Sequence, residues 1–291
     1  MNKTIIIAEI GECFNGDMRQ AKRLIEVAKS AGCDYAKFQT LDKEGVAKND
    51  PERDWFLKVA LDRDQLARLK KWCAHADIKF LCSPENTKKA KELKEIGCGE
   101  VKIASTCLWD KGLVDYAINN FSAIFISTGM SGLNEIDKVI KKIPSKKRVY
   151  LMHCVSEYPT GPLLKKRGLR ALAEEDVNMR MMDILKKRYP RCTVGYSDHT
   201  QGTLASVVAV ARGAGVIEKH ITLNRKKPIE IFKSGKGYMG TDHVLSLEPD
   251  ELKTMVSLVR RTEKILGPGK WRRSKGEKML APFLKGRFSS Q

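Results

Sequence analysis

Short apolar and β-branched runs recur along the chain, and most are followed by a stretch with apolar residues at helical spacing. The runs predict strands over residues 4–10, 34–40, 79–84, 100–105, 123–128, 149–154, 193–198 and 216–222. The stretches predict helices over residues 18–31, 63–76, 86–96, 133–142, 177–188, 204–213 and 248–266. Eight strands alternating with helices indicate an α/β fold, a (β/α)8 TIM barrel rather than an open doubly wound sheet. No GxGxxG fingerprint follows the first strand, which argues against a dinucleotide-binding fold.

The barrel is predicted to occupy residues 1–267, and residues 268–291 are predicted to form a basic tail or linker without helical periodicity. Three connections, 41–61, 156–176 and 223–243, are longer than usual. Each follows the carboxyl end of a strand, so all three should surround the same mouth of the barrel. They would serve as substrate walls or lids, although charged insertions without a role would look the same.

Composition narrows the class of protein. The chain has 291 residues, 42% of them hydrophobic, which is enough for one large domain. It has no run of about 18 apolar residues, and its first apolar stretch is too short for a signal peptide, so a cytoplasmic protein without a membrane partner is expected. The eight cysteines form no CxxC pair and are expected to be reduced core residues.

The net charge of +19 is spread along the chain, with a modest concentration in the tail. Aromatic residues make up only 7% of the sequence, and no nucleic-acid motif accompanies the basic residues. We therefore expect no nucleic-acid partner, and we interpret the charge as favouring solubility and attraction for small anions.

Two histidines, His199 and His220, each close a predicted strand, in the segments GYSDH and IEKH. Chemistry in α/β barrels is located at the carboxyl ends of the strands, where two neutral imidazoles would suit a divalent transition metal. On spacing alone an alternative stays open, in which each imidazole satisfies a backbone carbonyl. Strand alternation places Glu218 beside His220 on one face of the last strand and Lys219 on the other.

Polar side chains also end other predicted strands, where burial is costly unless the groups are paired. The set consists of Lys37, Ser83, Lys102, Ser105 and Ser127. Lysines supply point charge and serines supply directional donors, so the set would cradle a phosphate or a carboxylate. A plainer alternative, in which either lysine only pairs with Glu9, also stays open.

These residues belong to motifs that occur in a recognisable order. The motifs are Ile-Ala-Glu9-Ile-Gly, Lys37-Phe-Gln39-Thr, Lys102-Ile-Ala-Ser105, Ser127-Thr-Gly-Met, Tyr158-Pro, Gly-Tyr-Ser197-Asp198-His199-Thr and Glu218-Lys-His220. Over roughly residues 4–267 the set resembles the sialic acid synthase (N-acetylneuraminate synthase) family. The resemblance implies a barrel that condenses phosphoenolpyruvate with an open-chain amino sugar such as N-acetylmannosamine and releases phosphate. It also implies a divalent metal, Mn²⁺ in the first place, with Mg²⁺ or Co²⁺ as alternatives.

The resemblance further implies roles for single residues. His199 and His220 correspond to the family's metal ligands, and Glu9 is expected to act in catalysis by orienting water or a sugar hydroxyl. The phosphoenolpyruvate contacts would be Lys37, Ser83, Lys102, Ser105, Ser127 and Ser197. Glu9, Tyr158 and Asp242 would contact the sugar, and Gln39 is a further substrate contact.

The sequence departs from the family's pattern in places. The position two residues after Ser105, usually acidic, is Cys107. The loop 224–240 carries Lys226, Lys227, Lys233 and Lys236, which would suit an anionic group on the acceptor or form a solvated charged loop. Family members carry a C-terminal antifreeze-like domain that these 291 residues do not include. Two kinds of protein partner stay open, a second copy in a homodimer and a separate antifreeze-like chain.

Four alternative functions remain open. One is a related condensation on a different or phosphorylated sugar, and another is the barrel subunit of a two-chain synthase. A third is a Schiff-base aldolase that uses Lys37 or Lys102. A non-catalytic barrel that binds sugars or anions is the fourth.

Overall fold

The computed structural model describes residues 3–46, 48–49, 53–157, 172, 174–227, 230–231, 237–238 and 241–287. The barrel strands are β1 (Ile5–Gly11), β2 (Tyr35–Thr40), β3 (Lys79–Pro84), β4 (Glu100–Ile103), β5 (Ala123–Ser127), β6 (Arg148–Cys154), β7 (Thr193–Asp198) and β8 (Val216–His220). The helices are α1 (Met18–Ala31), α2 (Arg53–Val59), α3 (Arg63–His75), α4 (Thr87–Glu95), α5 (Lys111–Asn120), α6 (Leu133–Lys142), α7 (Met181–Arg188), α8 (Leu204–Ala211), α9 (Thr241–Leu245), α10 (Pro249–Leu266) and α11 (Lys275–Lys285). Short 3-10 segments cover Ser105–Cys107 and Glu174–Val177, and β9 (Glu230–Ile231) pairs with β10 (Gly237–Tyr238).

The strands follow chain order around a ring. Hydrogen bonds link them as β3, β2, β1, β8, β7, β6, β5 and β4, and every pair is parallel. β1 pairs with both β2 and β8, so the first and last strands are neighbours. β3 and β4 lie side by side, although no ladder joins them within the described ranges. The predicted (β/α)8 barrel is confirmed.

Side-chain alternation divides each strand between two cores. The residues that point inward at the middle and amino end of the barrel form a small apolar cluster, made of Ile7, Tyr35, Leu81, Phe125, Met152 and Val216. Residues of opposite parity, such as Ile6 and Phe38, pack under the helices in a larger core. This cluster fills the inside of the barrel. The next inward-facing residue of each strand, two positions further along, therefore lies at the carboxyl end of the barrel.

The close approach of β7 to β8 depends on a glycine. A Cβ atom at Gly195 would lie 2.2 Å from the backbone oxygen of Val216 and 2.3 Å from its Cγ1. Both distances are far shorter than van der Waals contact, so any side chain here would push the two strands apart. The same two strands carry His199 and His220 just beyond this point.

Short polar residues begin several barrel helices. The side chains of Asp17, Asp62, Asn86 and Asp110 accept backbone N–H bonds at the starts of α1, α3, α4 and α5. Each such cap typically contributes about 1 kcal/mol. The connections after β1, β2, β3 and β4 are therefore encoded locally.

Most predicted elements are confirmed, and the strand ends agree within two residues. α2 lies inside the predicted loop 41–61, and α5 was not predicted. Residues 268–291, predicted as a basic tail or linker without helical periodicity, contain α11, and Ser274 Oγ caps its start by accepting a bond from Glu277 N at 3.0 Å. In the part of the chain that the structure describes, no helix is long and apolar enough to cross a membrane.

Candidate active site

The carboxyl ends of the strands surround one cavity of about 660 Å³. Of the predicted site residues, those that line it are Lys37, Gln39, Lys102, Ser105, Ser127, Ser197, His199, His220 and Asp242. Glu9 and Ser83 are fully buried in the strand wall and do not line the cavity. Tyr158 lies outside the described residues. The structure thus brings together predicted residues that are more than 200 positions apart in sequence.

The cavity floor is a series of buried charges. Lys37 Nζ donates to Glu9 Oε2 and lies 3.6 Å from Glu218 Oε1. Lys102 Nζ donates to the same Glu218 oxygen at 3.1 Å, and Ser197 Oγ donates to it at 3.0 Å. Two carboxylates therefore stand against two ammonium groups, which is the condition under which charges can be buried. Lys37 does pair with Glu9, but it also faces the cavity, so this pairing does not remove it from the cradle.

The pKa values of these groups follow from burial and from each other. Burial raises the pKa of Glu9 to about 7, against the effects of Lys37 and of a bond from Gln39 Nε2 at 3.0 Å. Burial also opposes ionisation of Glu218, but Lys102 and Lys37 outweigh it and lower the pKa of Glu218 to about 2. Burial lowers the pKa of Lys102. The pKa of Lys37 is raised, because Glu218 and Glu9 outweigh its burial.

Two buried hydroxyls point to a missing partner. Within the described residues, Ser83 Oγ and Ser127 Oγ have no hydrogen-bond partner. Leaving such a group unsatisfied costs about 1–3 kcal/mol, a cost that a bound ligand can remove. Ser105 Oγ accepts a bond from Gly129 N at 3.1 Å. A Cβ atom at Gly129 would lie 2.7 Å from Ser105 Oγ, so glycine keeps this space open.

The two histidines stand next to each other, with ring centroids 5.5 Å apart. His199 Nδ1 lies 2.9 Å from Val155 O, a contact in which the ring nitrogen must donate. This bond leaves Nε2 of the neutral ring as the acceptor. His220 Nδ1 is buried and has no hydrogen-bond partner in the described part of the chain. It lies 3.7 Å from Asp242 Oδ2.

The two imidazoles differ in their affinity for protons. Burial acts to lower the pKa of His199, but Cys154, whose Sγ lies 3.8 Å from Nδ1, outweighs it and the pKa rises to about 9. Burial acts to raise the pKa of Cys154, and His199 outweighs it, lowering the pKa to about 7. Burial lowers the pKa of His220 well below its usual value, and the neighbouring His199 adds to the effect.

The residues present fit a divalent ion. Within the described ranges no group of three or more His, Cys, Asp or Glu side chains is arranged to hold a metal. Catalytic sites, however, keep positions for water or substrate, and a ligand histidine commonly donates its other nitrogen to a backbone carbonyl, as His199 does. His199 and His220 could therefore hold an ion between them, with Asp242 nearby.

Several residues that line the cavity had no predicted role, among them Glu218, Cys154 and Glu85. Glu218 was placed on the inward face without a role, yet it holds both lysines. Cys154 lines the cavity beside His199. Glu85 also lines it, and its Oε2 accepts from Cys107 Sγ at 3.2 Å. Its position directly after β3 was the available signal.

Lys219 faces away from the cavity, as predicted. Its Nζ lies 3.2 Å from Asp198 Oδ2, which also accepts from Ser206 Oγ of α8 at 2.7 Å. Asp198 in the GYSDHT motif therefore ties the strand to a helix. Its role in this structure is to position the segment that carries His199.

Comparison with known proteins agrees with this geometry. A model described as the NeuB family matches residues 24–271. The chain is 34% identical to N,N'-diacetyllegionaminic acid synthase of Campylobacter jejuni, over 95% of this chain and 81% of that protein. It is 31% identical to human N-acetylneuraminate-9-phosphate synthase, over 90% of this chain and 71% of that protein. A crystal structure of N-acetylneuraminic acid synthetase from Leptospira borgpetersenii superposes with a TM-score of 0.84 at 30% identity, covering 98% of this chain and 93% of that one. The chain belongs to the NeuB family.

Proposed function

We propose that this protein condenses phosphoenolpyruvate with an open-chain amino sugar, such as N-acetylmannosamine, to give a nonulosonic acid and phosphate. The observation that carries the proposal is one cavity that is lined both by Lys37 and Lys102, which Glu218 holds, and by His199 and His220. Membership of the NeuB family supports it, as do relatives named as synthases of legionaminic and neuraminic acids.

The lysine side of the cavity would bind phosphoenolpyruvate. Glu218 Oε1 fixes both ammonium groups before substrate arrives, so the charge is preorganised for an anion. Ser127 Oγ would gain the hydrogen-bond partner that the described residues do not supply. The remaining donors to phosphate or carboxylate oxygens would be Ser105 and Ser197, which line the cavity. Ser83, also expected as a contact, is buried in the strand wall behind them.

The histidine side would bind the acceptor. His199 and His220 would hold a divalent ion, Mn²⁺ in the first place and Mg²⁺ or Co²⁺ as substitutes. Such an ion, when bound, acts as a Lewis acid on the aldehyde oxygen of the sugar. Asp242 and Gln39 line the same cavity and would accept or donate hydrogen bonds to sugar hydroxyls. Tyr158 is kept as a further sugar contact, although it lies outside the described residues.

The reaction needs two carbons brought together. A bond forms between C3 of phosphoenolpyruvate and the aldehyde carbon, water adds at C2, and C2 then releases inorganic phosphate. By holding both substrates, the chain's residues would supply the near-attack geometry. Glu9 reaches the cavity only through Lys37 and Gln39, so we propose that it sets their charge and orientation.

The carboxyl groups of the cavity favour an acceptor without phosphate. They belong to Glu12, Asp42, Glu85 and Asp242, in addition to Glu218. Carboxylate oxygens accept bonds from sugar hydroxyls and repel a second phosphate. Lys226 and Lys227, which would favour a phosphorylated sugar, are exposed and do not line this cavity, and Lys233 and Lys236 lie outside the described residues.

Phosphate release is the test. Protein stripped with a chelator is expected to release phosphate only when phosphoenolpyruvate, N-acetylmannosamine and Mn²⁺ are all present, and less with N-acetylmannosamine 6-phosphate. No release with any aldose of a broad panel, in protein shown by elemental analysis to hold metal, would contradict the proposal. Borohydride trapping of pyruvate on Lys102, whose pKa burial lowers, would instead support the Schiff-base aldolase.

The cysteines support a proposal about the compartment. All eight are free and buried, which suits a reducing environment. We therefore propose a cytoplasmic location.

A further inference from the structure

Asp242 reaches the cavity from a very short helix. α9 (Thr241–Leu245) has five residues, too few for a helix to be stable by itself, and it lies at the end of the long connection after β8. Asp242 nevertheless lines the cavity, is only 8% exposed and lies 3.7 Å from His220 Nδ1. Contacts from outside the helix must therefore hold its carboxyl group in this position.

The next residue, His243, is buried, and both of its ring nitrogens are bonded. Nε2 lies 2.8 Å from Lys227 O, and since a carbonyl oxygen can only accept, Nε2 carries the hydrogen. Burial lowers the pKa of His243, which keeps the ring neutral, so Nδ1 is an acceptor. Its donor is Thr222 Oγ1 at 3.0 Å. The ring thus joins α9 to the residue two positions after His220 and to the connection beyond it.

Further contacts join the end of α9 to the end of β8. Ser246, which is fully buried, donates from Oγ to Asp242 O at 2.7 Å. Leu247 N donates to the backbone oxygen of His220 at 2.8 Å, and Thr222 N donates to Leu247 O at 3.0 Å. Side chains and backbone together therefore tie the segment that carries Asp242 to the strand that carries His220.

This network contributes position rather than contact. His243 and Thr222 are not among the described residues that line the cavity. Buried polar groups that are all paired favour a single arrangement, because another arrangement would leave one of them unpaired in the interior. The arrangement favoured here is the one that directs Asp242 into the cavity.

We infer that His243 is a positioning residue which, with Thr222 and Ser246, holds the Asp242 carboxyl group beside His220 to bind the acceptor sugar. The inference rests on the proposed function, because it takes the sugar as the ligand of Asp242. A carboxyl group that is already oriented loses little conformational freedom when the sugar binds. Loss of the network should therefore weaken binding of the acceptor and spare binding of phosphoenolpyruvate on the lysine side of the cavity.

Thr222→Val tests the inference, since it keeps the shape of the side chain and removes the hydroxyl that donates to His243. The KM for the acceptor is expected to rise by about fivefold or more, while the KM for phosphoenolpyruvate changes by less than about twofold. Thr222→Ser, which keeps the hydroxyl, should return the acceptor KM to within about twofold of the parent value. Thr254→Val is the matched control, because the Thr254 hydroxyl donates to Asp250 O on the exposed side of α10.

A mutant cycle separates the position of Asp242 from general damage to the fold. Asp242→Asn alone should raise the acceptor KM by about tenfold or more. Adding Thr222→Val to it should change this KM by less than about twofold, since the carboxylate to be positioned is already lost. Ser246→Ala removes a different bond of the same network and should also raise the acceptor KM, which keeps the test decisive if Thr222→Val does not fold.

Hydrogen exchange followed by mass spectrometry reports on the same network without any reaction. The amides of residues 242–247 should exchange about tenfold faster in Thr222→Val than in the parent. An unchanged acceptor KM in Thr222→Val, or full additivity with Asp242→Asn, would overturn the inference. If the parent releases no phosphate with any acceptor, the proposed function fails; faster exchange would then still support the network around His243, and unchanged exchange would overturn it.

Discussion

The two ends of the barrel are built on the same strands but treat charge in opposite ways. At the amino end, Tyr35 OH donates to Glu100 Oε2 at 2.8 Å in a partly buried contact, and the rings of Phe125 and Tyr150 stack with centroids 4.2 Å apart. At the carboxyl end, Glu218 and both of its lysine partners are almost completely buried. One end holds the strands together with aromatic contacts, whereas the other holds charges away from water.

The difference supports the proposal that substrate binds at the carboxyl end of the barrel. Removing an ion from water costs several kcal/mol, and a well-packed apolar layer would often be as stable as a buried ion pair. The carboxyl end retains the charges, where they can meet an anionic substrate already oriented. At the amino end the strands are joined instead by aromatic packing and by the contact of Tyr35 with Glu100.

The largest expected effect comes from breaking the histidine pair. His199→Ala or His220→Ala should lower kcat/KM for metal-dependent phosphate release by about 10³-fold or more, since the ion would lose one of two protein ligands. The melting temperature should stay close to that of the parent. His75→Ala, on the exposed side of α3, is the control and should remain active. Full activity in either site variant would remove the proposed metal site.

The next prediction compares the two ends directly. Glu218→Ala should reduce the free energy of unfolding by about 3–5 kcal/mol, because Lys37 and Lys102 both lose a buried counter-ion. Glu100→Ala at the amino end should cost only about 1 kcal/mol. Urea denaturation followed by circular dichroism measures both. Equal losses would mean that the two ends do not differ as described.

Glu85 sharpens the description of the carboxyl end. Glu85→Gln should lower kcat/KM for the acceptor by about tenfold, since a carboxyl group that lines the cavity is lost. Glu95→Gln, on the exposed side of α4, should be neutral. Adding Cys107→Glu to Glu85→Gln should restore part of the activity, because the two side chains meet at 3.2 Å. No difference between Glu85→Gln and Glu95→Gln would count against a role for Glu85.

The smallest effect is expected from the ion pair of Asp137 with Arg188 on the surface, which tests the effect of charge with little burial. Arg188 and Tyr189 donate to Asp137 and lower its pKa to about 2 from the usual 3.8. A lowered pKa contributes stability above pH 3.8 that is lost as the pH falls toward 2. Asp137→Asn should therefore shift the melting temperature less than Glu100→Ala, and only above this range. Added salt at pH 7 should remove the difference in melting temperature between Asp137→Asn and the parent. A difference that persists in high salt would contradict this prediction.

The barrel and most of its inner residues could be predicted, because strand alternation is a local property. It correctly placed Glu218 and His220 inside and Lys219 outside. The contact of Lys102 with Glu218 could not be predicted, because it joins β4 to β8 across 116 residues. Such a contact depends on how far the strands are staggered when the sheet closes, which no local pattern records.

Two helices were missed for local reasons. α5 is short and contains Gly112, which weakens a helical pattern. α11 contains Gly276 and Pro282, both poor helix formers in a helix interior. Its capping box, Ser274 with Glu277, was the signal that could have revealed it.

The absence of a side chain at Gly195 has a consequence for engineering. This residue lies four positions before His199 and pairs with Met152 of the small apolar cluster inside the barrel, and it allows β7 to touch β8. Because residue 195 has no Cβ atom, β7 and β8 lie close together, and this closeness helps to set the separation of the two imidazoles that follow on the same strands. Mutant libraries that aim to retune the histidine pair can vary its rim, but alanine at residue 195 would alter the spacing without touching either ring.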